Sequence, residues 1–524
     1  MEDKSHKDVA DYVVKLKHTK DDFLKLMQEA KEVEVTEADL ERLQEGKSEK
    51  SKSLSAVDIL LPIAREFDIF HDQKGDPYVF FEGKVMPLDD KVFIDFLMIS
   101  YHDATGKLVS RGEVVNITSL LCAEARRNGK EKRLDLRISM RGEGIFYDLC
   151  NGNMVEISEN GWQVVKVTPL FYSNANQKAQ VTPTKDGDIN KIFRYVNITE
   201  DARLLFLVYM VTCFVPDIPK PILHPTGSEG TGKTTCARLI KGLVDPCDSE
   251  FCDFSKNLHD SIIGMLHDYY VVIDNLSFID AETSDVLAKL CTGLAFKTRA
   301  LYTNTVLTVI KLMKAMCLTG ISCVATRPDL MDRTLLIPLE RIDGSKRMTE
   351  KQIFTAFEKD KSEILGGIFD ALSKAIGIYP LMEKTITNLP RMADFTLWGA
   401  SVAEALGFKY QDFIEAYGRN TQNKSEELVH GNTLLQAVLE FMDKRDTHET
   451  LTKTFFEELK ANNSPDKNDK TFPLAPNKLK NALERIKGIL ASSGIFLEFP
   501  RRTEMGNNIV IRKKKQDETI EFLD

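Results

Sequence analysis

Gly227-Ser-Glu-Gly-Thr-Gly232-Lys233-Thr234 has the form G-x-x-x-x-G-K-[ST]. The chemistry of that spacing is phosphate binding. Glycines let a backbone wrap an anion so that successive N–H groups point inward. The lysine reaches the outer phosphates of a nucleoside triphosphate, and the threonine hydroxyl is a magnesium ligand. The expected nucleotide site is therefore Gly227, Ser228, Glu229, Gly230, Thr231, Gly232, Lys233, Thr234 and Thr235, with ATP and magnesium as its ligands. About forty residues on, Tyr269-Tyr-Val-Val-Ile-Asp274 is an apolar run ending in a carboxylate. Such a run reads as a buried parallel strand with Asp274 at its C-terminal edge, where it serves as the second magnesium group. Taken alone, it would read equally well as an ordinary strand end.

Further groups follow. Ala315–Thr319 predicts a strand beside the loop's own strand, with Thr319 facing the terminal phosphate. Thr334–Leu339 predicts another. Between them, ATRPDLMDR carries Arg327 and Arg333. Either arginine could compensate charge in the transition state of phosphoryl transfer. The alternative is a surface arginine paired to Asp329 or Asp332. Asn275 follows Asp274, where many such enzymes carry a glutamate. An amide orients water but takes no proton near neutral pH.

These residues need elements to hold them. PILHPTG (221–227) predicts the strand entering the loop, and GKTTCARLIKGL predicts the helix leaving it, its positive end toward the anion. Glu200–Phe214 reads as a buried helix. Upstream, Ala56–Phe67 reads as a helix, and PYVFFEGKVMPL (77–88), GIFYDL (144–149) and WQVVKVTP (162–169) as strands. The division expected is a charged leader at 1–55, a mixed α/β domain at 56–190, an ATPase domain at 191–345, a helical segment at 346–425 and a final unit at 426–524.

In that last unit, helices at 432–444, 452–461 and 476–491 precede strands at 494–499 and 509–513. Leu479, Leu483, Ile486 and Leu490 form an apolar stripe. Lys478, Asn481 and Arg485 lie on another face, with Arg501 and Arg502 between the strands. This order is that of a winged helix, used for DNA or for protein contacts. Residues 470–515 hold eleven Lys/Arg against three Glu.

The whole chain cannot act as a basic field. It has 524 residues and a net charge of −9, so nucleic-acid binding requires local patches. Its nine cysteines have no regular framework, which predicts free thiols and a cytoplasmic location. Cys247, Cys252, His259 and His267 do not match a familiar zinc spacing. No apolar run upstream resembles a signal peptide, and Leu204–Val215 is too short to span a bilayer.

TGSEGTGKTT, VVIDNLS (271–277), KLCTGLAFKTRALYTN (289–304), CLTGI (317–321) and VATRPDLMDRTLL (324–336) resemble the AAA+ ATPase module of phage and mobile-element replication proteins. These are relatives of superfamily 3 and MCM-like helicases, often fused to primase-polymerases. LPRMADFTLWGASVAEALG (389–407) and PNKLKNALERIKGILASSGIFLEF (476–499) share the resemblance, which runs over about 56–515. It implies an α/β P-loop AAA+ core with a mixed N-terminal domain, a helical segment and a C-terminal winged helix. It implies an ATP-driven hexameric DNA helicase or translocase, with Arg333 reaching the neighbouring subunit's site. The rival class is a nucleotide-switched ring ATPase for assembly or antiviral defence, binding nucleic acid or a partner without unwinding. The resemblance also implies a pore hairpin at 298–314 bearing Lys297, Arg299, Tyr302, Lys311 and Lys314 toward single-stranded DNA. A solvated hairpin is the alternative. Thr319 departs from the asparagine usual at that position. The roughly fifty-residue leader is too short for a primase-polymerase domain, so priming is expected from a separate primase or polymerase.

Overall fold

The computed structural model describes residues 54–513 except 175, 253–257, 277–278, 300–306, 321–322, 326, 344–346, 431–432, 463–471 and 501–506. At 296–299, 307–310, 425–430, 462, 485, 488 and 492 the backbone alone is described. Residues 1–53 of the charged leader, Tyr302, Arg501 and Arg502 lie outside the described residues.

The backbone divides into two compact units. One contains helix α1 (Ala56–Ala64) and the stretch 96–117, which spans the later part of α2 (Lys91–Thr105) and the start of α3 (Arg111–Asn128). Local sequence sets these helix starts. Ser110 and Glu113 bond reciprocally: the Glu113 N–H donates to Ser110 Oγ (3.3 Å) and the Ser110 N–H donates to Glu113 Oε2 (3.1 Å). That S-x-x-E exchange satisfies two otherwise orphaned donors.

The other unit holds 65–95 and everything from 118 onward. It is mixed α/β. Strands β1 (Asp68–His71), β2 (Pro77–Phe81), β3 (Lys84–Pro87) and β4 (Lys130–Glu131) form one sheet in the order β3-β2-β1-β4. Strands β5 (Ile138–Arg141), β6 (Gly144–Asp148), β7 (Asn153–Ser158) and β8 (Gly161–Lys166) form an antiparallel meander. The segments predicted at 77–88, 144–149 and 162–169 all lie in these sheets.

A parallel sheet follows helix α4 (Arg203–Thr212). Its strands are β9 (Ile222–Thr226), β10 (Tyr270–Leu276), β13 (Ala315–Gly320) and β14 (Thr334–Pro338), in the order β10-β13-β9-β14. Tyr270–Ile273 and the whole of β13 are buried, which is why these strands read as unbroken apolar runs. Helices α5 (Lys233–Val244), α6 (Leu258–Gly264), α7 (Ala281–Thr292) and α8 (Pro328–Asp332) lie between the strands in sequence. The hairpin expected at 298–314 begins earlier. Strand β11 (Leu294–Arg299) pairs antiparallel with β12 (Leu307–Leu312), Leu294 facing Leu312 and Arg299 facing Leu307.

Beyond the sheet, α9 (Glu350–Thr385) runs for 36 residues, its start closed by a Thr349–Gln352 capping box. It packs against α10 (Ala393–Ala405), which also packs on α4. Gly366 allows a close approach, since a Cβ there would meet the Thr184 carbonyl at 1.7 Å. Tyr147, Phe214 and Phe369 interlock edge-on or tilted at 5.3–5.6 Å, so the meander, α4 and α9 share one core.

Helix α11 (Tyr410–His430) leads to α12 (Thr433–Asp443), α13 (Thr452–Asn462) and α14 (Pro476–Ser492). The predicted stripe Leu479, Leu483, Ile486 and Leu490 is at most 5% exposed. Each such burial contributes roughly 2 kcal/mol relative to exposure. Strands β16 (Ile495–Glu498) and β17 (Asn508–Lys513) pair as expected, but a third strand, β15 (Thr447–Leu451), joins them in the order β15-β17-β16. Its sequence, THETL, is polar and half exposed, so no apolar alternation announced it.

Candidate functional site

The loop after β9 sits at the carboxyl edge of the parallel sheet. Strand β9 is flanked there by β13 on one side and β14 on the other. Chain crossovers diverge at this point, and ligands of open α/β sheets bind in such crevices. Gly227, Gly230 and Gly232 have φ of 141°, 78° and 87°, values that side-chain-bearing residues adopt only at a cost. At Gly227 a Cβ would also meet the Leu339 carbonyl at 2.7 Å. Gly232 is the residue before α5, so Lys233, Thr234 and Thr235 form its first turn. Ser228 and Glu229 are exposed.

The polar groups converge. The Lys233 ammonium donates to the Gly227 carbonyl (2.6 Å) and the Ser228 carbonyl (3.2 Å). Thr231 Oγ1 donates to the Ser228 carbonyl at 3.0 Å. Thr234 Oγ1 donates to Asp274 Oδ1 at 2.9 Å, joining the loop helix to β10. Thr319 Oγ1 donates to the same carboxylate oxygen. It accepts in turn from the Asn275 backbone N–H at 3.0 Å. Asn275 has φ of +56° where β10 slips register against β13 between Ile273 and Leu276. Asparagine tolerates that left-handed conformation far better than glutamate. Its side chain is exposed. The oxygen donors of Thr234 and Asp274 are hard ligands of the kind magnesium takes, together with water.

Arg327 and Arg333 bracket α8. Arg327 donates to the Ala281 carbonyl (2.6 Å) and pairs with Asp285 (2.8 Å), not with the aspartates of its own segment. Arg333 pairs with Asp329, one of the partners named in the alternative reading, but its side chain is 14% exposed rather than on the surface, and its Nη1 also donates to the Asp329 carbonyl at 2.8 Å. Partial burial raises the Asp329 carboxyl, but the Arg333 and Arg391 guanidiniums outweigh it and hold it below the usual range. Arg391 was not singled out from sequence. It bonds to carboxylates 59 and 62 residues away, and nothing local reveals that.

One hairpin residue needs correction. Lys314 does not present its charge to solvent. It is 4% exposed, and its ammonium is taken up by the Leu266 carbonyl (3.3 Å) and the Asp268 carbonyl. Burial pushes it down to about 8, so it is a core residue and no DNA cation. Lys311 is exposed on β12. The register puts position 311 opposite 295, and so on the same ribbon face as positions 297 and 299. In α14, Lys478 and Asn481 are exposed, while the Arg485 side chain lies outside the described residues.

None of the nine cysteines is in a disulfide. Among the described residues, Cys247 groups with Asp245 and Asp268 rather than with the histidines of its loose sequence cluster. Lys241 bonds both carboxylates, at 2.9 and 3.4 Å, so cations already occupy that group. His224 on β9 is 1% exposed and accepts the Val324 N–H at 3.1 Å. Burial pushes its imidazole down to about 4.

Residues 189–421 match the family model described as "Actinomycete integrative conjugative element replication protein", and residues 434–519 match the one described as "AICE RepA C-terminal domain". The chain is similar to replication proteins of integrative conjugative elements. The matches take in the loop, β10, the arginine segment and the C-terminal unit, and they support a role in replication. They begin after the meander, so the N-terminal part of the resemblance has no counterpart in them. No curated protein matches significantly. Among solved structures, an apo structure of the NrS-1 C-terminal region aligns at TM-score 0.37 and 12% identity, covering 89% of this chain and 100% of that one. The A form of the same region gives 0.40 and 11% over the same shares. A JCV helicase structure gives 0.26 and 13%, covering 42% of this chain and 65% of that one. At these scores the alignments say nothing about activity.

Proposed function

We propose that the chain is a magnesium-dependent ATPase of the P-loop AAA+ class, working as a ring-forming DNA helicase or translocase in the replication of an integrative element. The observation that carries the ATPase part of the reading is the meeting of Thr234 and Thr319 on the Asp274 carboxylate beside Lys233. A loop lysine, a helix N-terminus, a hydroxyl and a carboxylate at one sheet edge are the parts that phosphoryl transfer to water needs.

In this reading the 227–232 backbone cradles the phosphates. Lys233 exchanges its two loop carbonyls for phosphate oxygens. Thr234 and Asp274 would hold magnesium, which when bound neutralises charge on the outer phosphates. Asn275 orients the attacking water through its amide oxygen. Proton removal is late or unnecessary in a loose transition state, so positioning is enough. Arg333 completes the site of a neighbouring subunit, the hairpin β11–β12 follows single-stranded DNA, and Lys478 and Asn481 meet duplex DNA from a winged-helix unit. The location in this reading is cytoplasmic.

A second reading keeps the ATPase but not the unwinding: a nucleotide-switched ring that binds DNA or a partner. The Thr319 bond to Asp274 favours it, since a hydroxyl spent on the carboxylate couples less directly to the terminal phosphate. Strand displacement on forked DNA with ATP separates the two. Displacement supports the motor, and ATP hydrolysis with DNA binding but no displacement selects the switch.

A further inference from the structure

The LPRMAD stretch has no role in the site so far. Its Arg391 reaches back to α8, where Asp329 and Asp332 lie three residues apart on one helix face. Arg391 Nη2 donates to Asp329 Oδ1 at 2.6 Å and Nη1 donates to Asp332 Oδ2 at 3.2 Å. The same Asp329 oxygen pairs with Arg333. Two guanidiniums thus share one carboxylate oxygen, and among the described residues only Arg391 is also bridged to a second side chain. Arg333 Nε is buried with no acceptor among the described residues. The orientation of the Arg333 guanidinium therefore depends on its Nη1 contacts to Asp329.

We propose that Arg391 is a positioning residue for Arg333: by bridging Asp329 and Asp332 it fixes the carboxylate that orients the Arg333 guanidinium, whose side chain is 14% exposed. The inference rests on the shared-site ATPase reading. Without Arg391, Asp329 is held by Arg333 alone, and the pair samples more than one direction. A misaimed guanidinium still binds no worse to folded protein, but it misses the charge that develops between subunits. Arg391, Asp329 and Asp332 are each about half exposed, so the bridge contributes little to folding. Lysine at 391 would carry the charge but not the fork that spans both carboxylates.

Subunit mixing of the full chain tests this. A Lys233→Ala subunit lacks its own phosphate site and keeps its arginine. An Arg333→Ala subunit has the reverse defect, and the two should restore activity in mixed rings. Arg391→Ala is expected to fall in the Arg333→Ala class: activity returns with Lys233→Ala and not with Arg333→Ala. Alone, Arg391→Ala should lower kcat roughly 10-fold with KM for ATP little changed, a milder loss than removal of the finger itself. Arg391→Lys should fall between Arg391→Ala and wild type, and Asp329→Asn should join the Arg391→Ala class. Wild-type kcat in Arg391→Ala, complementation of Arg333→Ala, or complementation of neither partner overturns the inference while the ATPase reading stands. If Lys233→Ala and Arg333→Ala do not complement each other in rings that exchange subunits, the shared-site reading falls and takes the inference with it.

Discussion

Arg137 and Asp245, 108 residues apart, form an ion pair at 3.2 Å in which neither side chain has any solvent exposure. Arg137 also donates to the carbonyls of Asp148 (3.2 Å), Lys178 (3.1 Å) and Pro246 (2.7 Å). Asp245 accepts from Lys241 and from the backbone N–H groups of Tyr269 and Tyr270. One carboxylate thus joins the meander, the end of the loop helix and the start of β10. Removing one member of such a pair leaves charge and carbonyls unsatisfied. Arg137→Met should cost about 3 kcal/mol or more of unfolding free energy in urea titration. A loss under about 1 kcal/mol would mean that water or Lys241 takes over the carboxylate.

Lys233→Ala should reduce magnesium-dependent ATP hydrolysis by at least ~10²-fold in a protein that still folds, because the loop loses its only cation. Undiminished turnover would remove the ATPase reading. Circular dichroism on the same sample separates loss of chemistry from loss of fold.

Asn275 is best tested with glycine. Its φ of +56° means that Asn275→Ala adds roughly 1 kcal/mol of backbone strain, which Asn275→Gly avoids. If the amide orients water, Asn275→Gly lowers kcat roughly 10²-fold with ATP affinity kept. Normal turnover in Asn275→Gly would put the water on another group.

His224 makes stability depend on pH. Burial takes its imidazole from an ordinary 6.5 to about 4, so between those values the unfolded chain binds the proton and the folded chain does not. Its contribution is complete above about pH 6.5 and is lost as pH falls toward 4. The shift corresponds to roughly 3 kcal/mol at most. His224→Gln should flatten the decline in Tm across that window. A decline equal to wild type would assign it to carboxylates alone.

The C-terminal unit should be probed by point change. Its buried residues share one apolar cluster with Val271, Met316 and other residues of the parallel sheet, so deleting 426–524 would expose core. Lys478 is exposed. Lys478→Ala should weaken duplex DNA binding similarly for all sequences and lower the salt slope by about 1, leaving ATP turnover intact. An unchanged slope would move the unit to protein contacts.

The loop was legible in the sequence because its requirements are local. Left-handed φ at Gly227, Gly230 and Gly232 demands glycine, and the first turn of α5 must carry Lys233 and Thr234 together. The buried strands were legible because two-sided burial writes an apolar run, and α14 because its stripe repeats with the helix. Strand β15 was not, since THETL earns its place by backbone pairing with β17 and carries no apolar pattern. Lys314 shows the limit most clearly. It is the same residue type as the exposed Lys311 three residues earlier, and only the carbonyls of Leu266 and Asp268, brought close by the fold, draw one ammonium inward while the other stays in water. The same holds for Arg391 and Arg137. Their partners lie about 60 and 108 residues away, and ion pairs at that separation leave no period or spacing in the chain. They exist only once tertiary structure has brought the carboxylates to them.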